Sequence, residues 1–249
     1  MRFYQNTPAK VILLGAGGTG GYIAPHLYRI ACTLERDIRI IIVDGDIVEE
    51  KNLIRQNFAS YDVGQNKAKV IAERYSETFG IETEYRPEFI ENEKKLRQLV
   101  KAQYFRNNYY YNRRIPELVI LIGAVDNNRS RQMCHKVFYD AKELVYIDSG
   151  NGEYTGQVVC GVRRNGHTMA KPVGGFYPDI LKSEDLFPTE LSCADRNVSA
   201  PQSIAANLFA STAVVTLLYH ILVLGNLDVR HLTFSSRTLN TKSILRKGA

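Results

Sequence analysis

The chain has 249 residues, 45% of them hydrophobic and 23% charged, so it can bury a core as one large α/β domain or two small ones. No run approaches the roughly 18 to 20 apolar residues that span a bilayer, and the N-terminus lacks the apolar core of a signal peptide, which predicts a cytoplasmic protein with no membrane partner. The net charge of +6 suits an anionic ligand such as a nucleotide, an acidic protein or nucleic acid, although a lysine-rich solvated surface gives the same value.

Apolar runs and their periodicity predict strands that alternate with helices along most of the chain. The predicted strands cover residues 10–15, 38–44, 81–87, 117–127 and 143–151, and the predicted helices cover residues 19–34, 65–80, 128–142 and 203–225. Residues 154–164 indicate an antiparallel strand, residues 165–200 a long loop, and residues 229–236 a final strand. The pattern predicts an α/β fold: a Rossmann-like, doubly wound and mostly parallel sheet with an appended antiparallel portion and a long crossover loop.

The turn after the first predicted strand reads L-L-G-A-G-G-T-G-G over residues 13–21 and contains the spacing G-x-G-x-x-G. In a strand-turn-helix context, Gly15 permits the tight turn, Gly17 lets phosphate approach the backbone, and Gly20 allows close helix packing. Phosphate then binds the free N–H groups of the helix N-terminus. Asp44 ends the second predicted strand, where a carboxylate can bind ribose hydroxyls. The sequence therefore predicts a nucleotide site, with NAD(P) and ATP both open.

Polar and cationic residues follow Asp44 and the later strand at 117–127. Each has an ordinary structural interpretation when taken alone. Arg55 can cap a helix C-terminus, Lys67 can be a solvated helical lysine, and Asp126-Asn127 can be the N-cap of the next helix. An NAD(P)-dependent oxidoreductase would use the glycine loop and Asp44 but would leave this cluster without a role.

The order of these motifs resembles the ThiF/MoeB/E1-like adenylating superfamily. N-L-I-R-Q at 52–56, D-V-G-Q-N-K-A at 62–68 and D-N at 126–127 follow the glycine loop and Asp44 as they do in that family, over about residues 10–160. A narrower likeness is to the ThiF-like proteins of bacterial PRTRC gene clusters, which share the GGTG, DGD and VRQ-type elements. The superfamily uses ATP to activate the C-terminal glycine carboxylate of ubiquitin-like proteins.

The resemblance implies an enzyme that adenylates a carboxylate with ATP and Mg²⁺. Arg55 and Lys67 would be catalytic because they offset the negative charge of the triphosphate as the carboxylate attacks the α-phosphate. Asp126 would hold Mg²⁺ bridging the phosphates. The residues expected to bind ATP are Gly15, Gly17, Gly18, Gly20, Asp44, Asn52, Arg55, Lys67, Asp126 and Asn127.

The four cysteines form no C-x-x-C pair, which argues against both a disulfide framework and a structural zinc site. Cys32, Cys134 and Cys160 fall in predicted helices or strands and are expected in the core. Cys193 lies in L-S-C-A-D-R-N-V-S-A-P (191–201), which resembles the family segment that leads into a late apolar helix. The resemblance implies that Cys193 is either an acceptor of the activated acyl group or of sulfur, or a buried structural cysteine.

The resemblance also implies a single adenylation domain over residues 1–249. A nucleotide-binding half (1–150) would precede an antiparallel and crossover-loop half (151–249) for substrate and dimer contacts. The expected partners are a small ubiquitin-like protein with a C-terminal glycine, or another carboxylate substrate, and a second copy of the chain in a homodimer. Nucleic acid is not expected as a partner. The N-terminus lacks the family's arginine-rich segment, so a non-catalytic binding module remains a further interpretation.

Overall fold

The computed structural model describes residues 1–107, 113–190 and 202–245. Within these residues the chain forms an α/β fold around one large mixed sheet. The helices are α1 Gly18–Ala31, α2 Lys67–Phe79, α3 Glu93–Leu99, α4 Asn128–Asp140 and α5 Ile204–Leu222. The strands are β1 Ala9–Leu14, β2 Ile38–Val43, β3 Thr83–Arg86, β4 Tyr104–Asn107, β5 Arg113–Pro116, β6 Leu118–Gly123, β7 Leu144–Asn151, β8 Thr155–Arg164, β9 His167–Ala170, β10 Val229–Ser235 and β11 Asn240–Leu245.

The sheet joins a parallel half to an antiparallel half. Its strand order is β11-β10-β8-β7-β6-β1-β2-β3, with β9 paired to β8. Strands β3, β2, β1, β6 and β7 are parallel, and the pairs from β7 to β8 onward are antiparallel. The predicted Rossmann-like, mostly parallel sheet with an appended antiparallel portion is therefore confirmed. The chain reverses its direction of travel across the sheet between β1 and β6, and ligands bind at such switch points.

The parallel strands are apolar throughout because both of their faces are covered by helices. Side chains of one parity, such as Val11 and Ile42, pack on the side of α1, α2 and α5. Side chains of the other parity, such as Ile12 and Ile41, pack on the side of α3 and α4. The core thus lies in two layers, and it fixes the carboxyl ends of β1, β2 and β6 side by side.

Four features of the structure differ from the sequence predictions. The polar stretch before the fourth parallel strand contains the antiparallel hairpin β4-β5. The long loop begins with a short strand, β9, and the last predicted strand is followed by β11 on the sheet edge. Cys134 and Cys160 are buried as predicted, but Cys32 is exposed because it caps the C-terminal end of α1 instead of lying on its apolar face.

Helix α5 is long and apolar enough to span a bilayer by length and composition alone. This corrects the sequence-based statement that no run approaches that length. In the structure α5 packs along α1 and across β7 and β8, and its inward residues, such as Val214 and Leu218, are fully buried in the core. The apolar character of α5 is therefore explained in part by packing within the domain.

Candidate active site

The glycine loop lies where β1 ends, between the ends of β2 and β6. The backbone of Gly15 donates to the carbonyl of Val43, and the backbone of Ala124 donates to the carbonyl of Leu14, at 2.9 and 2.8 Å. Gly15 has a φ of 95°, and a Cβ there would collide with the Ala124 carbonyl. A Cβ on Gly20 would collide with the Gly15 carbonyl. Both positions thus require glycine, as the motif predicts.

Asp44 follows β2 and holds the glycine loop from one side. Its Oδ2 accepts a hydrogen bond of 2.6 Å from the backbone of Ala16, and its Oδ1 accepts one of 2.8 Å from the backbone of Asp46. The residue is only 8% exposed. Burial raises the pKa of the Asp44 carboxyl to about 6, and the nearby charge of Lys67 opposes that rise. The carboxylate lies at the strand end where the sequence predicts ribose binding.

The raised pKa of Asp44 predicts a loss of stability as the pH rises from 3.8 to about 6. Over that range the unfolded chain ionises Asp44 more readily than the folded protein, which lowers the free energy of unfolding by roughly 1 to 3 kcal/mol. Urea unfolding at about pH 4 and about pH 7 should show this fall in the wild type relative to Asp44→Asn. The control Asp179→Asn changes an exposed carboxyl, so its free energy of unfolding should fall with pH as that of the wild type does. The same fall in the wild type and in Asp44→Asn would contradict the prediction.

Lys67 is a buried cation beside Asp44 and not a solvated helical lysine. It is the first residue of α2 and is 5% exposed. Its Nζ lies 3.0 Å from Oδ2 of Asp46. Asn66 caps the helix and donates to the carbonyl of Asp44 at 2.9 Å, which ties the start of α2 to the end of β2. By contrast, Lys69 is only half-buried and faces Glu73 at 3.8 Å along the helix.

Arg55 approaches the N-terminus of α1 from the segment after Asp44. Asn52 ends a short 3-10 helix, and its side chain accepts from the backbone of Glu49 in a capping box. That turn directs Arg55 toward the glycine loop, where a Cβ on Gly18 would lie 3.0 Å from its Nη1. The same Nη1 donates to Oε1 of Gln202 at 2.9 Å. The guanidinium thus reaches the glycine loop and the start of α5, not a helix C-terminus.

Asp126 and Asn127 follow β6 on the other side of the glycine loop. Asn127 caps α4, because its Oδ1 accepts from the backbone of Ser130 at 2.7 Å. The carboxylate of Asp126 is exposed, and no ion pair or hydrogen bond engages it among residues 1–107, 113–190 and 202–245. Such a carboxylate fits Mg²⁺, which proteins bind through one or two carboxylates together with phosphate and water. Within the same described ranges, no group of three or more His, Cys, Asp or Glu could hold a metal alone.

A buried arginine fixes the backbone just before Asp126. Arg131 of α4 donates to the carbonyl of Val125 at 2.6 Å, and its Nε lies 3.4 Å from Oδ1 of Asp148. Asp148 is fully buried on β7 and also accepts from the hydroxyl of Tyr146 at 2.7 Å. Burial raises the pKa of the Asp148 carboxyl, and the charge of Arg131 counteracts this.

The structure adds polar groups that the sequence predictions did not include. Thr19, Asn151 and Asn207 form a hydrogen-bonded chain beside Gly18, and Gln202 joins it at the carbonyl of Asn151. Gln56 lies against Gly17, and its buried Oε1 has no hydrogen-bond partner among the described residues. The one feature of the sequence that could have indicated these groups is an asparagine, Asn207, inside the apolar helix predicted at 203–225.

The structure brings eight of the predicted nucleotide ligands to one edge of the sheet, while the side-chain oxygens of Asn52 and Asn127 accept hydrogen bonds in helix caps. Their contacts with a nucleotide stay predictions. Cys193 lies outside the described residues, so its expected role also stays a prediction.

The fold and the switch-point geometry define a Rossmann-like α/β protein of the nucleotide-binding class. The family model of the ThiF family matches residues 5–247, and the chain belongs to that family. The family resemblance found in the sequence motifs is thus confirmed. A search of curated proteins gives no match.

Several solved structures share the fold at low sequence identity. They include PaaA (17% identity, TM-score 0.63, 95% of this chain and 64% of PaaA covered). E. coli MccB with ATP gives 18% identity and a TM-score of 0.63, with 95% of this chain and 63% of MccB covered. The microcin C7 biosynthetic enzyme MccB in complex with N-formylated MccA gives 17% identity and a TM-score of 0.63, with 95% of this chain and 64% of MccB covered. The chain therefore spans somewhat less than two thirds of the length of these proteins.

Proposed function

We propose that the protein adenylates a carboxylate with ATP and releases pyrophosphate. The observation that carries this proposal is the position of the Arg55 guanidinium beside Gly18, the first residue of α1. A helix N-terminus already favours a phosphate, and a cation there suits a triphosphate that must accept a second anion. Buried Lys67 beside Asp44 adds a second cation at the same edge.

The chemistry follows from these positions. The Asp44 carboxylate accepts hydrogen bonds from the hydroxyl groups of the ribose, and the backbone N–H groups of the glycine loop bind phosphate. A carboxylate oxygen of the substrate attacks the α-phosphorus, so that a new C–O–P bond forms as the bond to pyrophosphate breaks. Arg55 and Lys67 stabilise the charge that collects on the phosphate oxygens and on the leaving group. Mg²⁺ held by Asp126 would supply further charge neutralisation at the phosphates.

The substrate proposed is the C-terminal glycine of a small ubiquitin-like protein. Membership of the ThiF family supports adenylation, and the solved complex of the microcin C7 biosynthetic enzyme MccB with N-formylated MccA shows a protein of this fold with a bound partner. Transfer of the acyl group from the adenylate to the thiol of Cys193, which forms a thioester and releases AMP, is part of the proposal, as is the narrower likeness to the PRTRC-cluster proteins. The products at the first step are an acyl adenylate and pyrophosphate.

Isotope exchange between pyrophosphate and ATP tests the proposed function. Exchange should require both the protein and a ubiquitin-like partner that ends in glycine, and a partner lacking its last glycine should give none. Exchange that never appears with any protein or small-molecule carboxylate, despite measurable ATP binding, would refute the enzymatic proposal. Tight binding of NADH without affinity for ATP would favour an oxidoreductase instead.

We also propose a homodimer formed through α5. Its outward face carries Leu208 and Tyr219, which are exposed, and borders an apolar groove of about 460 Å³ between α5 and β10. Leu208→Asp should convert the dimer into a monomer in sedimentation experiments because it places a charge in an apolar interface. The control Leu186→Asp changes an exposed leucine beside Phe187, which packs on the opposite face of the sheet. Equal sedimentation of both variants would contradict the proposed interface.

A further inference from the structure

Asn207 is a buried asparagine whose amide nitrogen has no partner among the residues that the structure describes. Its side chain is 0% exposed, and its Nδ2 makes no hydrogen bond. An unsatisfied buried N–H is costly, so a native structure that keeps one there calls for an explanation. Most of α5 is apolar, and packing alone would have been served by a leucine or alanine at this position.

The free amide faces the N-terminus of α1. A Cβ on Gly18 would collide with Nδ2 of Asn207, so the amide packs directly against the backbone of Gly18 at the start of α1. Arg55 borders it too, with Nη1 3.0 Å from that Cβ position. Gly17, the N-cap, makes no side-chain cap, so the first N–H groups of this 14-residue helix remain available to an anion.

Hydrogen bonds engage the oxygen end of the Asn207 amide. The hydroxyl of Thr19 donates to Oδ1 of Asn151 at 3.1 Å, and Nδ2 of Asn151 donates to Oδ1 of Asn207 at 2.9 Å. Because the oxygen of Asn207 is engaged as an acceptor, its N–H groups are turned toward Gly18. In this arrangement the Asn207 side chain presents a donor to Gly18, which suits an anion and not a cation.

The position of Asp44 identifies which phosphate would lie nearest to this amide at the start of α1. Asp44 is bonded to the backbone of Ala16, directly before Gly17 and Gly18. A ribose held by Asp44 therefore places its first phosphate at the start of α1. We propose that Asn207 binds the α-phosphate of the nucleotide through its amide N–H, with Asn151 and Thr19 as positioning residues. The inference rests on the proposed function, and it concerns a contact shared by ATP, AMP and the acyl adenylate.

Binding of AMP and adenosine to matched variants tests this inference by isothermal titration. Asn207→Ala should weaken AMP and ATP by about 10- to 100-fold while leaving adenosine affinity unchanged, since adenosine lacks the phosphate. Asn207→Asp keeps the shape and the acceptor for Asn151 but replaces the donor with a carboxylate, so its loss of AMP affinity should be larger. Asn151→Ala frees the amide to rotate and should give a smaller loss, again without an effect on adenosine.

Several results would overturn the assignment. One such result is that the Asn207→Ala and Asn207→Asp variants fold and bind AMP with the affinity of the wild type. An equal loss for AMP and adenosine would overturn it as well, because it would indicate general distortion of the site. If the wild type binds AMP in the expected pattern but never supports exchange, the adenylation proposal fails while the role of Asn207 stands. If the wild type binds no adenine nucleotide, both fail.

Discussion

Replacing Arg55 by alanine is expected to slow ATP–pyrophosphate exchange by about 10²- to 10³-fold, the usual cost of removing one preorganised donor from a charge-stabilising site. The guanidinium reaches the start of α1, where it donates to the neutral amide of Gln202 and pairs with no carboxylate among the described residues. The alanine variant leaves no buried carboxylate unpaired, so it should fold normally. The rate of exchange at saturating ATP is therefore the appropriate measurement.

Two further variants test whether exchange depends on the cation at position 55 or on any cation in this part of the sequence. Lys69→Ala removes a cation from the same part of the sequence, but the Lys69 side chain is half-buried on α2 and faces Glu73. Its exchange rate should match that of the wild type. Arg55→Lys should recover part of the lost rate because a point charge replaces a planar fork of donors. If Arg55→Ala and Lys69→Ala behave alike, Arg55 has no part in catalysis.

The largest effect on stability is expected from Arg131→Met, which should lower the free energy of unfolding by about 3 to 5 kcal/mol. Removing the guanidinium leaves the carboxylate of Asp148 fully buried without its cation, and it also removes the donor to the carbonyl of Val125. Urea unfolding near neutral pH measures the change. Because burial already raises the pKa of Asp148, the deficit should shrink in acid as that carboxyl becomes protonated.

The matched control for Arg131→Met is Arg97→Met. Arg97 also pairs with acids, Glu93 and Asp140, but on the surface, where screening by water leaves ion pairs weak. This variant should unfold close to the wild type. Adding Asp148→Asn to Arg131→Met should restore part of the stability, since it removes the uncompensated charge. Equal stability of Arg131→Met and Arg97→Met would show that the buried carboxylate of Asp148 does not depend on the cation of Arg131, which would contradict the prediction.

Local motifs predicted much of the site because its residues follow consecutive parallel strands. Gly15 and Asp44 could be located from sequence, since a glycine turn and an acid at a strand end have the same geometry in any fold of this kind. Lys67 could be placed near them but not shown to be buried. The bond between Asp46 and Lys67 depends on how α2 returns to β2, which periodicity does not specify.

Asn207 and Gln202 could not be assigned because their partners lie far away in the sequence. Their positions follow from the packing of α5 on α1, and an apolar pattern shows that a helix is buried without showing which neighbour it meets. The hairpin β4-β5 was missed for a different reason. Its strands are only four residues each and largely exposed, so they lack the alternation by which longer strands are found.

The packing of α5 against α1 also means that the residues of the candidate site are synthesised at widely separated times. The glycine loop, Asp44, Arg55 and Lys67 all leave the ribosome in the first third of the chain. Gln202 and Asn207, whose side chains contact Arg55 and Gly18, emerge much later, together with α5. A nascent chain therefore contains β1, β2 and the residues that follow them well before α5 can pack against α1 and bring these two amides to the site.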